Sequence, residues 1–173
     1  MVFLLYIIVS VLLLFGVACN ANLEDILQGI AEFQLTKKRM EIIRKNEITY
    51  INDSYNASYD SMKAGIEYLK SVNSKRKIAV LGDMLELGDF AKELHEKVGE
   101  DVAKNKIDVL VTVGENAKYI ASKARELGMD NVREFMDNES ASNFLKTILQ
   151  PYDAILFKAS NSMKFGQIIE KIM

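Results

Sequence analysis

The stretch Lys-Ile-Ala-Val-Leu-Gly-Asp at residues 77–83 decides the fold class. Four consecutive apolar residues are followed at once by a glycine and an aspartate, a pattern typical of a buried strand that ends in a tight turn. Further strand candidates lie at 107–113, 132–136 and 154–157, and three of the four candidates are strongly apolar. Because strands that are buried on both faces read as unbroken apolar runs, these segments favour a mainly parallel sheet.

Amphipathic stretches alternate with these runs. Their apolar residues recur at spacings of three and four, as in helices with one buried face. They predict helices at 60–70, 90–105, 115–127, 138–149 and 163–173. Two short β-like runs at 40–43 and 48–51 come first and predict a hairpin. The sequence therefore predicts an α/β domain with a Rossmann-like, mainly parallel sheet and helices on both faces.

The N-terminal segment differs from the rest of the chain. No charged side chain precedes Glu24, and residues 2–19 are almost continuously apolar. Such a run is just long enough to span a bilayer; a signal sequence and a core helix of a larger domain are the alternatives. A short helix is predicted at 22–34, with Asn22 as its N-cap. We expect a first unit at 1–36 and an α/β domain at 37–173.

The composition excludes several classes of protein. Of the 173 residues, 49% are apolar and 27% are charged, and the net charge is −2. These values exclude a disordered chain and a strongly basic nucleic-acid binder. The single cysteine, Cys19, excludes an internal disulfide, and we expect it to be buried in its apolar run. One histidine and one cysteine are too few for a His/Cys metal cage, so we predict no metal site in this chain.

Polar loops follow four of the predicted strands, and ligands of open parallel sheets bind beyond the carboxyl ends of the strands. The loops lie at 52–58, 82–88, 114–116 and 158–164 and carry carboxylates, amides, hydroxyls and lysines. A simpler interpretation exists for each: Asp53 and Asn56 cap a helix, and Lys158 is a surface charge. His95, inside a predicted helix, is more simply a surface or packing histidine than a catalytic base.

Two phosphate-binding motifs are absent from the sequence. It contains neither Gly-x-x-x-x-Gly-Lys-Ser/Thr nor Gly-x-Gly-x-x-Gly. The residues by themselves therefore indicate a polar site at the strand ends, suited to helping bind a nucleotide or a small polar substrate.

Three loops, in their order and spacing, are similar to those of a known family. The segments 52–64, 78–88 (with Glu93-Leu94-His95 after it) and 156–164 resemble the Mur ligases that add D-alanyl-D-alanine to the peptidoglycan precursor. Arg39-Met40-Glu41-Ile42-Ile43 resembles the stretch that joins the central and C-terminal domains of these enzymes. The resemblance covers residues 23–173 and implies the Rossmann-like C-terminal domain, with residues 1–36 as a remnant of the central ATPase domain.

The resemblance also implies a function. It implies a monomeric, cytoplasmic, ATP-dependent amide-bond ligase that uses magnesium and acts on UDP-N-acetylmuramoyl-tripeptide and D-alanyl-D-alanine. By resemblance, Arg39 approaches the ATP phosphates and Asp53 accepts hydrogen bonds from the ribose hydroxyls. The residues implied at the site are Arg39, Asp53, Tyr55 and Asn56 for ATP, and Asp83, Lys158 and Ser160 for the dipeptide side.

The sequence departs from the family in several places. Tyr59 stands where the family usually has Pro, and Ala159 and Asn161 stand where it usually has Gly and Arg. The absent Arg removes a planar fork of donors that could hold a carboxylate. The P-loop Lys and the magnesium ligands of the family are missing, so no catalytic set is complete and we expect the isolated chain to be inactive. The alternative is a non-catalytic nucleotide- or peptide-binding module, held at a membrane through residues 2–19.

Overall fold

The computed structural model describes residues 2–32 and 38–173, with side chains at 9–30 and 38–173. The chain divides into two compact units, Met1–Thr36 and Lys37–Met173. The end of the helix predicted at 22–34 and the basic residue Lys37 lie outside the described residues. The assignment of the first unit to a central ATPase domain stays a prediction.

The first unit contains helices α1 (Val2–Ala18) and α2 (Leu23–Glu32). As predicted, Asn22 caps α2, because its side-chain oxygen accepts a hydrogen bond from the Asp25 N–H at 2.8 Å. Ile26 packs so closely on Gly16 that a Cβ there would lie 2.6 Å from it. Cys19 is exposed in the turn after α1, so the prediction that it is buried is wrong. Within 2–32 and 38–173, no helix is both long and apolar enough to cross a membrane.

The second unit is organised around one sheet. Its described strands follow the order β1-β2-β6-β3-β4-β5. They are β1 (Glu41–Lys45), β2 (Ile48–Asn52), β3 (Arg76–Gly82), β4 (Val109–Val113), β5 (Val132–Phe135) and β6 (Asp153–Lys158). β1 and β2 are antiparallel, and every other neighbouring pair is parallel. The prediction of a mainly parallel sheet is therefore confirmed.

The predicted hairpin is also confirmed. Lys45 pairs with Ile48, so only Asn46 and Glu47 connect the two strands. Both have positive φ, 52° and 61°. Two residues with positive φ give a turn whose twist matches that of the flanking strands. The antiparallel β1 therefore covers one edge of the sheet and leads the chain directly into β2.

Helices cover both faces of the sheet, as predicted. They are α3 (Tyr59–Ser71), α4 (Ala91–Lys104), α5 (Ala117–Glu126), α6 (Asn138–Ile148) and α7 (Gly166–Ile172). Successive side chains of a strand point to opposite faces. Leu81 of β3 accordingly lies in the core shared with Ile66 of α3. Its neighbour Val80 lies in the second core, with Leu145 of α6.

The strand order decides which loops meet. The carboxyl ends of β2, β6, β3 and β4 lie side by side along one edge of the sheet. The loop after β6 therefore has the loop after β2 on one side and the loop after β3 on the other. This order places the polar loops predicted to carry the site.

Candidate functional site

A cavity of about 260 Å³ lies where the loops that follow β2 and β6 meet. Its lining residues are Arg39, Asp53, Tyr55, Asn56, Ser58, Ser61 and Lys158. The residues that the resemblance implies for ATP therefore all line one cavity. Their roles in binding stay predictions, but the fold brings them together from separate segments of the chain.

The Asp53 carboxylate connects two of these segments. Its Oδ2 accepts a hydrogen bond from Lys158 Nζ at 2.5 Å, and its Oδ1 accepts one from the Met40 N–H at 3.1 Å. The Asp53 side chain is 15% exposed. Each carboxylate oxygen has two lone-pair sites, so Asp53 keeps accepting capacity on the side that faces the cavity.

Lys158 lies beside Asp53 and is buried, with only 2% of its side chain exposed. Its ammonium group also donates to the carbonyls of Asn56, at 3.1 Å, and Asp53, at 3.4 Å. The simpler interpretation of Lys158 as a surface charge is therefore wrong. The resemblance implied a place on the dipeptide side, but the structure places Lys158 with the residues implied for ATP, because β6 pairs with β2.

Arg39 lies in a strained turn. Its neighbours Lys38 and Met40 have φ of 66° and 49°, a left-handed conformation that non-glycine residues rarely adopt. The Tyr55 N–H donates to the Lys38 carbonyl at 3.0 Å. The Arg39 guanidinium carbon lies 4.1 Å from the centre of the Tyr55 ring, in a cation–π contact. These contacts hold Arg39 at the cavity while its side chain stays exposed.

The start of α3 supplies two lining residues that the sequence analysis missed. Ser58 Oγ accepts a hydrogen bond from the Ser61 N–H at 3.4 Å, and Ser61 Oγ accepts one from the Ser58 N–H at 2.9 Å. Their spacing, Ser-x-x-Ser, is a variant of the capping box and could have marked them. Tyr59 is the first helical residue, a position where Pro is well tolerated, so the departure from Pro leaves the helix start intact.

Asp83 and Ser160 form a separate cluster. Asp83 is buried, and its Oδ1 accepts hydrogen bonds from the N–H groups of Asn116, at 3.0 Å, and Ala117, at 2.7 Å. The Ser160 N–H donates to the Asp83 carbonyl at 3.0 Å, and Ser160 Oγ accepts from the Leu85 N–H at 2.9 Å. These side chains hold loops together. Neither residue lines the cavity, unlike Lys158, the third residue implied for the dipeptide side.

His95 binds the backbone of the loop that follows β3. It is buried, its Nε2 accepts a hydrogen bond from the Met84 N–H at 3.0 Å, and its Nδ1 lies 2.6 Å from the Ala91 carbonyl. The neutral ring therefore carries its proton on Nδ1, which donates to Ala91. Burial lowers the pKa of His95, although the Ala91 carbonyl and the Asp83 carboxylate oppose this shift. His95 is a packing histidine, which confirms the simpler interpretation.

Ala159, where the family usually has Gly, is fully buried beside Gly82. A Cβ on Gly82 would lie 2.8 Å from the Ala159 Cβ and 2.6 Å from the Phe165 ring. Gly82 must therefore remain a glycine in this chain. Asn161, where the family usually has Arg, is exposed at the start of the 3₁₀ turn Asn161–Met163.

The donors and acceptors of the cavity fit part of a nucleotide. An exposed guanidinium group suits a phosphate, and a carboxylate with spare lone pairs suits a pair of hydroxyls. In the part of the chain that the structure describes, no three His, Cys, Asp or Glu side chains are placed to hold a metal ion. The cavity therefore presents one guanidinium group and one carboxylate with accepting capacity to a polar ligand.

Comparison with known proteins identifies the class to which this fold and site belong. The family model described as "Mur ligase, glutamate ligase domain" matches residues 38–161. That range covers most of the chain and all of the cavity. The chain belongs to the Mur ligase C-terminal domain family.

Several named proteins of this family are similar to the chain over most of its length. The chain is 35% identical over 153 residues to the UDP-N-acetylmuramoyl-tripeptide–D-alanyl-D-alanine ligase of Bacillus subtilis (strain 168), covering 87% of this chain and 34% of that protein. The fold matches MurF from Acinetobacter baumannii with a TM-score of 0.80 and 30% identity, covering 91% of this chain and 35% of that one. It matches MurF from Thermotoga maritima in complex with ADP with a TM-score of 0.74 and 26% identity, covering 92% and 35%. The chain thus spans about a third of the length of these relatives.

Proposed function

We propose that this chain is the C-terminal domain of a cytoplasmic, ATP-dependent ligase that joins D-alanyl-D-alanine to UDP-N-acetylmuramoyl-tripeptide in peptidoglycan biosynthesis. The observation that carries the proposal is the convergence of Arg39, Asp53, Tyr55 and Asn56 on one cavity. The names of the relatives support the substrates, and the ADP bound to the Thermotoga maritima MurF supports the nucleotide.

The cavity residues have distinct tasks in this proposal. Arg39 donates to nucleotide phosphates, since its guanidinium group is exposed and held by Tyr55. Asp53 accepts hydrogen bonds from the ribose hydroxyls through the lone pairs that Lys158 and Met40 leave unused. ATP, when bound, supplies the phosphoryl group that activates the tripeptide carboxylate for attack by the dipeptide amine.

The isolated chain is expected to lack ligase activity. Neither phosphate-cradle motif occurs in its sequence, and phosphoryl transfer depends on such a cradle together with magnesium. The chain therefore needs a P-loop domain, from the same or another polypeptide, to complete the enzyme. Within that enzyme its task is to close over the nucleotide and to position it.

A chimera tests this proposal directly. Residues 37–173 replace the homologous domain of the Bacillus subtilis ligase, and ligation is followed as D-alanyl-D-alanine-dependent phosphate release. We expect activity from the chimera and none above a no-enzyme blank from the isolated chain. Arg39→Ala should lower kcat/KM of the chimera at least about a hundredfold, the scale of a charge-assisted contact to a transferring phosphate. Arg44→Ala, an exposed arginine on β1, is the matched control and should leave the rate unchanged.

The absence of both motifs also favours a second function, a non-catalytic nucleotide-binding module. The same set of proteins separates the two functions. A well-folded chimera without activity, together with ADP binding by the isolated chain, would favour the binding module. Ligation by the chimera would reject it.

A further inference from the structure

We infer that Lys158 is a positioning residue: its buried ammonium group fixes the Asp53 carboxylate, and Asp53 holds the turn that carries Arg39. This inference rests on the proposed nucleotide-binding function of the cavity. It gives Lys158 a part in that function without any contact between Lys158 and the ligand.

The first step is the burial of Lys158. An ammonium group has three N–H donors, and the chain itself offers three acceptors, one carboxylate oxygen and two backbone carbonyls. The aliphatic stem is packed against α3, because a Cβ on Gly65 would lie only 3.3 Å from the Lys158 Cδ. A side chain with its donors occupied and its stem enclosed acts through the groups that it holds.

The second step is the link from Lys158 to Arg39. Asp53 receives Lys158 on Oδ2 and the Met40 N–H on Oδ1, so one carboxylate joins the end of β6 to the turn before β1. Met40 is the residue next to Arg39 and has positive φ. A backbone in this conformation persists only where its surroundings fix it. The Asp53 carboxylate, itself oriented by Lys158, provides one of these restraints.

The third step is the loop between Asp53 and Asn56. Lys158 binds the carbonyls at both ends of this loop. Tyr55 lies between them, donates its N–H to Lys38 and stacks its ring on Arg39. The same ammonium group therefore restrains both sets of contacts that hold the Arg39 turn, those of Met40 and those of Tyr55.

The charges of the cavity agree with this role. Two cations, Arg39 and Lys158, and one carboxylate, Asp53, are its charged lining residues. Because Lys158 neutralises Asp53, the remaining charge at the cavity is that of Arg39. An anionic ligand such as a nucleoside diphosphate can then approach Asp53 without repulsion.

Amide hydrogen exchange of the full chain tests the positioning directly. In Lys158→Met, the N–H groups of Met40 and Tyr55 should exchange at least about tenfold faster than in the unaltered chain, since local opening becomes easier. Core amides such as that of Val80 should keep their protection. Lys77→Met, the same change at the opposite end of the neighbouring strand β3, is the matched control and should not affect the two amides.

A ligand comparison separates positioning from general damage to the fold. ADP and its 2′,3′-dideoxy analogue are titrated into the chain and into Lys158→Met. We expect the chain to prefer ADP, and we expect the variant to bind ADP about tenfold more weakly and to lose that preference. A general loss of structure would weaken both ligands by the same factor. Lys158→Gln, which keeps a neutral donor, replaces Lys158→Met if the latter does not fold, and should retain part of the preference.

The outcomes separate this inference from the proposed function. Unchanged exchange at Met40 and Tyr55, or an equal loss for both ligands, would overturn the role of Lys158. If the unaltered chain binds neither ligand, nucleotide binding by the isolated chain fails. Exchange at the two amides then decides by itself whether Lys158 positions the Arg39 turn.

Discussion

Asp53 follows β2 and Asp83 follows β3, the two strands that flank β6, but the surroundings of the two carboxylates differ. Each aspartate comes directly after a strand and has a carboxylate that accepts two hydrogen bonds from the chain. At Asp83 both donors are backbone N–H groups at the start of α5, and one oxygen receives both. At Asp53 the donors are a buried ammonium group and one N–H, and they occupy different oxygens.

The difference lies in what surrounds each carboxylate. Asp83 is closed in by Gly114, where a Cβ would lie 2.5 Å from its Oδ1. Asp53 borders the cavity that Arg39 and Tyr55 also line. A carboxylate enclosed by a helix N-terminus stabilises the fold, whereas one that borders an open cavity keeps capacity for a ligand. Two residues of the same type, at equivalent positions in the sequence pattern, therefore have separate tasks.

The largest expected effect comes from a substitution beside the enclosed carboxylate of Asp83. Gly114→Ala adds a methyl group against the Asp83 carboxylate at a residue with φ of 119°. We expect a loss of about 4 kcal/mol in the free energy of unfolding, from backbone strain and overpacking together. Urea unfolding followed by circular dichroism measures it. Gly128→Ala, at φ of 88° with no described atom within 4 Å, carries the strain alone and should cost only about 1 kcal/mol.

The next largest effect comes from removing the Asp53 carboxylate, which borders the cavity. Asp53→Ala leaves the buried Lys158 ammonium without its counter-charge, and we expect a loss of about 3 kcal/mol in the free energy of unfolding. The double variant Asp53→Ala/Lys158→Met removes both charges and should recover most of that loss. The same urea titration measures both. A double variant as unstable as the single one would contradict the assignment of this ion pair.

A smaller effect concerns His95, which binds the loop that contains Asp83. Burial lowers the pKa of His95, so as the pH falls below about 6.5 the unfolded chain binds a proton more readily than the folded chain does. Stability should therefore fall with decreasing pH once the pH passes below the unfolded pKa of about 6.5, by up to about 1.4 kcal/mol per pH unit. The sequence has one histidine, so His95→Gln should flatten the curve in this window. An unchanged slope in the variant would assign the pH dependence to other groups.

The smallest expected effect comes from a substitution of Tyr55, which also lines the cavity. Tyr55→Leu removes the ring that packs on Arg39, and we expect ADP binding to weaken about threefold, as for a partly exposed cation–π contact of roughly 0.5–1 kcal/mol. Isothermal titration measures the change. Tyr119→Leu is the control, because the Tyr119 ring contacts Lys92 and Lys118 and does not line the cavity. Equal losses in the two variants would show that Tyr55 has no specific task.

The sequence predicted more of the fold than of the site. The apolar runs around residues 78–81 and 154–157 identified strands, since a fully buried strand needs unbroken apolar side chains. The periodicity of 138–149 likewise identified α6. Element boundaries moved by one to three residues, because capping depends on local hydrogen bonds. The predicted start of the last helix at 163 gives way to a 3₁₀ turn, and α7 begins at Gly166.

The sequence by itself determined the class of the fold, the polar loops at the strand ends and the resemblance to a family, because periodicity and local motifs are properties of the chain alone. Only the tertiary structure decided which polar residues meet. Lys158 binds Asp53 because β6 pairs with β2, and Ser160 binds Asp83 because β6 also pairs with β3. Strand order joins residues as far as 105 positions apart, and no local pattern encodes it.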